Sequence, residues 1–64
     1  MTENNITLKK ARILADLTQE QVAKSLNIHP ITYSKWEKNP EEISIKNAKI
    51  IANVLGRSVD EIFF

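Results

Sequence analysis

Residues 18–37 read TQEQVAKSLNIHPITYSKWE, and this stretch decides the fold. Thr18 is followed three residues later by Gln21, a spacing that forms a capping box and predicts the start of a helix. Apolar positions then recur at helical spacing through Leu26. Asn27 stands where the chain must reverse, in the left-handed conformation that Asn adopts more readily than other non-glycine residues. The first half of the stretch therefore predicts a helix that ends in a tight turn.

A second helix is predicted directly after this turn. His29 is its expected N-cap and Pro30 its first residue, because proline is favoured at a position whose amide hydrogen would have no partner. Tyr33 and Trp36 lie three residues apart, so we expect both on the inner side, with the Tyr33 hydroxyl reaching the surface. A stacking platform for unpaired bases is the alternative for the two rings. The positions left to point outward or to flank this face are Ile31, Thr32, Ser34 and Lys35.

With these residues in place, the chain resembles the phage-repressor and Cro-like helix-turn-helix proteins of the XRE family over nearly all of its length. The resemblance rests on LKKARILADLTQEQVAKSLNI (8–28), TYSKWE (32–37) and ISIKNAKIIANVLGRSVDEIFF (43–64). It implies an all-α fold, a compact five-helix bundle of the lambda-repressor-like type. Residues 1–64 would form this single DNA-binding domain.

The first helix is predicted over 7–15 and should end at Asp16, where the family usually has a left-handed glycine. Its inner face carries Arg12 together with small and apolar residues. Arg12 and Glu37 match positions that pair in similar proteins, so the resemblance implies a mostly buried ion pair between them. Removing one partner would leave the other charge buried and unpaired.

The last third of the chain predicts two further helices. Ser44 is the N-cap of a fourth helix that Gly56 terminates, and Ser58 with Glu61 forms a second capping box for a short fifth helix. The core face of the fourth helix is formed by Ile45, Ala48, Ile51, Ala52 and Leu55.

A second apolar strip on the fourth helix predicts a homodimer. Ile50 and Val54 lie roughly opposite the core face, and a lone domain rarely exposes such a strip beside further large apolar residues. The predicted interface consists of Ile50, Val54, Ile62, Phe63 and Phe64. The alternative is that the first helix covers this strip within the same chain, through Ile13 or Leu14.

Composition excludes several classes of protein. The 64 residues contain no cysteine and one histidine, so we expect no disulfide, no metal site and no cofactor. No apolar run approaches the roughly 20 residues that span a membrane, and no signal pattern is visible at the N-terminus. No catalytic constellation is present either. The expectation is a non-enzymatic cytoplasmic protein with no membrane partner and no small-molecule substrate.

The resemblance implies double-stranded operator DNA as the partner, with the second helix of the motif in the major groove. Ile31 has no polar group and can only contact a thymine methyl. Gln19 resembles the family glutamine that holds a phosphate at a helix N-terminus, and Lys38 would also contact the backbone. The candidate DNA-binding residues are Gln19, His29, Pro30, Ile31, Thr32, Ser34, Lys35 and Lys38. An ordinary solvated surface, with His29 only a cap, is the alternative.

The predicted function is that of a sequence-specific transcriptional regulator, a repressor or Cro-like switch protein from a phage, mobile element or bacterial chromosome. The alternative is a protein-binding module, such as an antitoxin or antirepressor on the same scaffold. A net charge of only +1 favours this alternative, because small DNA-binding domains are usually more basic. The acidic pair Glu41 and Glu42 and the apolar Ile31 favour it as well.

Overall fold

A computed structural model describes residues 6–64, except for the side chain of Phe63. This part of the chain has four α-helices, two 3-10 turns and two short strands. The helices are α1 (Leu8–Leu14), α2 (Gln19–Leu26), α3 (Pro30–Lys38) and α4 (Ile45–Val54). The 3-10 turns are Pro40–Glu42 and Val59–Glu61, and the strands are β1 (Ile6–Thr7) and β2 (Ile62–Phe63).

The start of α2 and the turn after it have the predicted geometry. The amide of Gln21 donates to Thr18 Oγ1 at 3.0 Å, and the amide of Thr18 donates to Gln21 Oε1 at 2.8 Å, which completes the capping box. Asn27 has φ 60° and ψ 42°, the left-handed conformation. The amide of Ile28 then donates to the carbonyl of Ala23 at 3.0 Å. The turn that separates α2 from α3 is therefore held by backbone hydrogen bonds.

The ends of α1 and α3 follow equally local chemistry. Thr7 Oγ1 accepts a hydrogen bond from the amide of Lys10 at 3.1 Å, which makes Thr7 the N-cap of α1. Because Thr7 and Ala15 are the two caps, α1 is one residue shorter at each end than the predicted helix over 7–15. Asp16 has φ 62°, which confirms the left-handed end of this segment. α3 ends at Lys38 because Pro40 cannot continue it.

The core lies where the four helices meet. The small side chain of Ala23 on α2 is fully buried, as is the whole of Tyr33 on α3. Burial of the Tyr33 hydroxyl corrects the prediction that it reaches the surface. Trp36 packs against this core and is partly exposed. The buried residues of the core are Leu8, Ala11, Val22, Ala23, Tyr33, Ile51, Ala52, Leu55 and Ile62.

The predicted fifth helix is wrong. Val59–Glu61 is a single 3-10 turn, and the chain then extends into β2, which pairs in parallel with β1 through Ile6 opposite Ile62. Glu61 still accepts from the amide of Ser58 at 2.9 Å, but no residues that favour a helix follow it. β-branched and aromatic residues follow instead, and these prefer extended backbone.

Two burial predictions in the same region are also wrong. Ile45 is 76% exposed, because it is the first residue of α4 and extends past the core, which covers this helix only from Ala48 onward. Ile62 is 3% exposed, because its strand brings it into the core.

The two ends of α4 have the predicted geometry. Ser44 is the N-cap, and its Oγ accepts a hydrogen bond from the backbone amide of Asn47 at 3.1 Å. Gly56, just after the helix, has φ 74°. None of the helices within residues 6–64 has the length and apolar character to cross a membrane.

Candidate nucleic-acid interface

The outer face of α3 is a continuous exposed stripe. Ile31, Lys35 and Lys38 follow one another at helical spacing, and all three are exposed. Ile31 is the most open of them, at 69%. Thr32 extends the stripe on one side, and Ser34 is half-buried at its edge. The predicted base-contact residues therefore share one accessible side of a single helix.

The start of α3 is fixed by its own cap. His29 is exposed, and its Nδ1 accepts a hydrogen bond from the amide of Ile31 at 3.1 Å. Pro30 follows as the first helical residue and is half-buried. This geometry places His29 in a capping role and leaves its second ring nitrogen free of that contact.

Gln19, Arg12 and Glu37 lie together beneath the opposite end of α3. Arg12 Nε lies 2.6 Å from Glu37 Oε2, and the two side chains are only 12% and 4% exposed. Gln19 Nε2 donates to Glu37 Oε1 at 2.8 Å. Arg12 Nη1 also donates to the carbonyl of Leu17 at 3.0 Å, just before α2 begins. One carboxylate at the end of α3 is thus joined to α1 and to the start of α2.

The Glu37 carboxyl group of this cluster is held in its ionised form. Burial by itself would raise the pKa of Glu37. The hydrogen bonds from Arg12 and Gln19, with the nearby Tyr33 hydroxyl, outweigh that effect and lower it below its ordinary value. Burial, followed by the neighbouring Glu37 carboxylate, raises the pKa of Tyr33. Glu37 is therefore a carboxylate that can accept hydrogen bonds and cannot donate one.

The Tyr33 hydroxyl is a buried polar group without a hydrogen bond. It lies near enough to Glu37 to respond to its charge, but no partner among the described residues has hydrogen-bond geometry with it. Such a group costs roughly 1–3 kcal/mol of desolvation. Its position inside the core also removes Tyr33 as a stacking surface for bases.

The predicted dimer residues are distributed between surface and core. Ile50 on α4 is 42% exposed, whereas Val54 and Phe64 are half-buried against the core. The burial of Ile62 removes it from any such surface, and the side chain of Phe63 lies outside the described part of the chain.

The alternative to a dimer interface is cover of the apolar strip by α1. Ile13 and Leu14 are themselves 55% and 56% exposed, and Ile50 is 42% exposed, so any cover that α1 provides for the strip is incomplete. Within the described part of the chain, no three His, Asp or Glu side chains are placed to hold a metal ion.

The link between Gln19 and Glu37 is the feature that sequence reasoning missed. The sequence predicts Arg12 as the partner of Glu37 and a phosphate as the partner of Gln19, and it predicts no contact between Gln19 and Glu37. A carboxylate has about four acceptor positions, so the ion pair with Arg12 leaves Glu37 able to accept further donors. That spare capacity is the one signal in the sequence for an additional partner.

Comparison with known proteins identifies the family of this chain. A family model described as helix-turn-helix matches residues 8–62. Searches of curated proteins and of solved structures returned no match. The matched range includes all four helices, the turn after Asn27 and the exposed face of α3. The chain therefore belongs to the XRE-type helix-turn-helix family of DNA-binding regulators.

Proposed function

We propose that this protein is a transcriptional repressor or Cro-like switch protein that reads operator DNA as a homodimer. α3 enters the major groove, and the start of α2 contacts the DNA backbone. The single observation that carries the proposal is the exposed stripe on α3. A helix whose inner residues are fixed in the core and whose outer residues are free can be inserted into the groove without rearrangement.

The residues of the stripe divide into two kinds of contact. Ile31 is apolar and accessible, so it contacts a thymine methyl, while Thr32 and Lys35 can donate hydrogen bonds to base edges. Ser34 is a lesser candidate because it is half-buried. Lys38 lies at the exposed end of α3 and contacts a phosphate, which contributes affinity without sequence preference.

The dimer is formed through the surface around Ile50. This residue stays 42% exposed, which leaves an apolar surface on α4. Val54 lies one helical turn further along α4, and Phe63 and Phe64 at the end of the chain complete the proposed interface. Two α3 helices in such a dimer read inverted half-sites about 34 Å apart, one turn of DNA.

A salt titration with duplex DNA from the region flanking the gene tests the proposal. Lys38→Ala should weaken binding to all sequences alike and reduce the slope of log affinity against log salt by about one for each protomer, or about two for the homodimer. Lys24→Ala is the matched control, because Lys24 is also an exposed lysine but lies in the last turn of α2, at the opposite end from Gln19. Equal slopes for the two variants would contradict the proposed placement of α3.

A second candidate function is favoured by the exposed Ile31. An isoleucine 69% exposed on the recognition face also suits a protein partner, and so do the exposed acidic residues Glu41 and Glu42 in the turn that follows α3. An antitoxin or antirepressor would use the surface in this way. If the parent protein shows no salt-dependent binding to any duplex, this second function replaces the first.

A further inference from the structure

One buried carboxylate joins the end of α3 to the start of α2. Glu37 belongs to the last turn of α3, and its Oε1 accepts from Nε2 of Gln19 at 2.8 Å. Gln19 is the first residue of α2 and is only half-buried, so part of this residue remains accessible from outside. The contact therefore connects the interior to a residue at the proposed DNA backbone site.

The chemistry of the two groups fixes the orientation of the amide. A primary amide can turn either its oxygen or its nitrogen toward a neighbour. Glu37 is ionised and only accepts hydrogen bonds, so Gln19 must direct its nitrogen toward the carboxylate. One N–H is used by this bond, and the second N–H of the same nitrogen remains free for another acceptor. A phosphate oxygen is such an acceptor.

Arg12 balances the negative charge of Glu37 at the point where Glu37 orients the Gln19 amide. An unpaired carboxylate behind the site would repel a phosphate, but Arg12 Nε lies 2.6 Å from Glu37 Oε2 and neutralises it. Arg12 also holds the carbonyl of Leu17 at 3.0 Å, two residues before Gln19. The carboxylate can therefore orient the amide without opposing the anion that the amide would hold.

We infer that Glu37 is a positioning residue for DNA binding, which sets the Gln19 amide so that its free N–H faces a backbone phosphate. The same hydrogen bond connects the end of α3 to the start of α2. It therefore fixes the position of the base-contacting helix relative to the residue that binds the phosphate. Glu37 itself does not touch DNA. The inference rests on the proposed function, because it requires that Gln19 contacts DNA.

A double-mutant cycle in DNA affinity tests this role. Gln19→Ala removes a hydrogen bond to a charged group and should weaken binding about tenfold for each half-site of the homodimer. Glu37→Gln places an amide where the carboxylate was. Since Arg12 retains the oxygen of the new side chain, its NH2 group faces Gln19 and forces that amide to turn. For each half-site, affinity should fall about threefold to tenfold in the parent background, and less than about twofold in the Gln19→Ala background.

Controls in the same titrations distinguish a loss of DNA contacts from a loss of folded protein. Affinities are measured at a temperature at which circular dichroism shows each variant folded. Ile51→Ala, a truncation in the buried face of α4, reports how destabilisation alone affects binding. Glu37→Asp serves as a second variant if Glu37→Gln does not fold. It keeps the charge for Arg12 but is one methylene shorter, so it withdraws from Gln19.

The possible outcomes distinguish the positioning role of Glu37 from the proposed DNA binding of the whole protein. Equal losses from Glu37→Gln in both backgrounds, or a loss no larger than that of Ile51→Ala, would overturn the positioning role while leaving DNA binding intact. An unchanged affinity in Gln19→Ala would overturn it as well, because no phosphate contact would exist to be positioned. A parent protein that binds no duplex would instead refute the proposed function.

Discussion

Glu37→Gln should strongly destabilise the protein, although it keeps the shape of the side chain. The substitution removes the negative charge that faces Arg12 while leaving a guanidinium that is 12% exposed. The new amide oxygen can accept one hydrogen bond from Arg12, but it does not neutralise the charge. Its nitrogen also replaces an acceptor for Gln19 Nε2 with a donor, so the existing hydrogen bond breaks and the Gln19 amide must turn its oxygen toward residue 37.

The expected loss in the free energy of unfolding is about 3 kcal/mol, the cost of breaking a buried pair by removing one partner. A domain of 64 residues has a total stability of roughly 3–10 kcal/mol. The variant would therefore lose a large part of its stability. In a domain of this size such a change lowers Tm by about 12 °C or more.

Thermal melts and urea titrations followed by circular dichroism at pH 7 measure this effect. Glu42→Gln is the matched control, because it makes the same chemical change at an exposed position in the 3-10 turn and should change stability by less than about 0.5 kcal/mol. If the two variants unfold alike, the ion pair contributes nothing and the reasoning is refuted.

Three further predictions concern stability. The lowered pKa of Glu37 means that its contribution is complete above its ordinary pKa of 4.5 and is lost as the pH falls through the lowered value, so the stability difference between the parent and Glu37→Gln should shrink in acid urea titrations. A constant difference at all pH values would contradict this. Tyr33→Phe removes a buried hydroxyl that has no hydrogen bond and should raise the free energy of unfolding by about 1 kcal/mol, whereas a lower Tm would mean that the hydroxyl does bond to Glu37. Asn27→Ala should cost about 1 kcal/mol because of the φ of 60°, and Asn27→Gly should be close to neutral; equal melting of the two variants would show that the turn is not strained.

Local chemistry made much of the fold predictable. The capping box at Thr18, the left-handed Asn27 and the glycine after α4 each depend on residues within one turn of the chain, and all three have the expected geometry. Such signals are decided by side-chain and backbone hydrogen bonds that form wherever the segment packs.

The errors occur where distant residues decide the outcome. Ile62 belongs to a two-residue strand that pairs with the start of the chain, and no local pattern indicates that partner. Ile45 has helical spacing from the core residues of α4, but spacing does not reveal where the core ends. The bond between Gln19 and Glu37 likewise depends on how α2 and α3 cross, which local patterns do not specify.

The central claim is that the exposed face of α3 reads DNA sequence. Selection of bound sites from a pool of random duplexes tests this claim most directly. The parent protein should recover two inverted half-sites whose centres lie about one helical turn apart. A variant with Ile31, Thr32, Ser34 and Lys35 all changed to alanine should recover no motif, while Ile31→Ala alone should relax the preference at one A·T pair. Recovery of the parent's motif by the fourfold variant would contradict the claim that this face reads DNA.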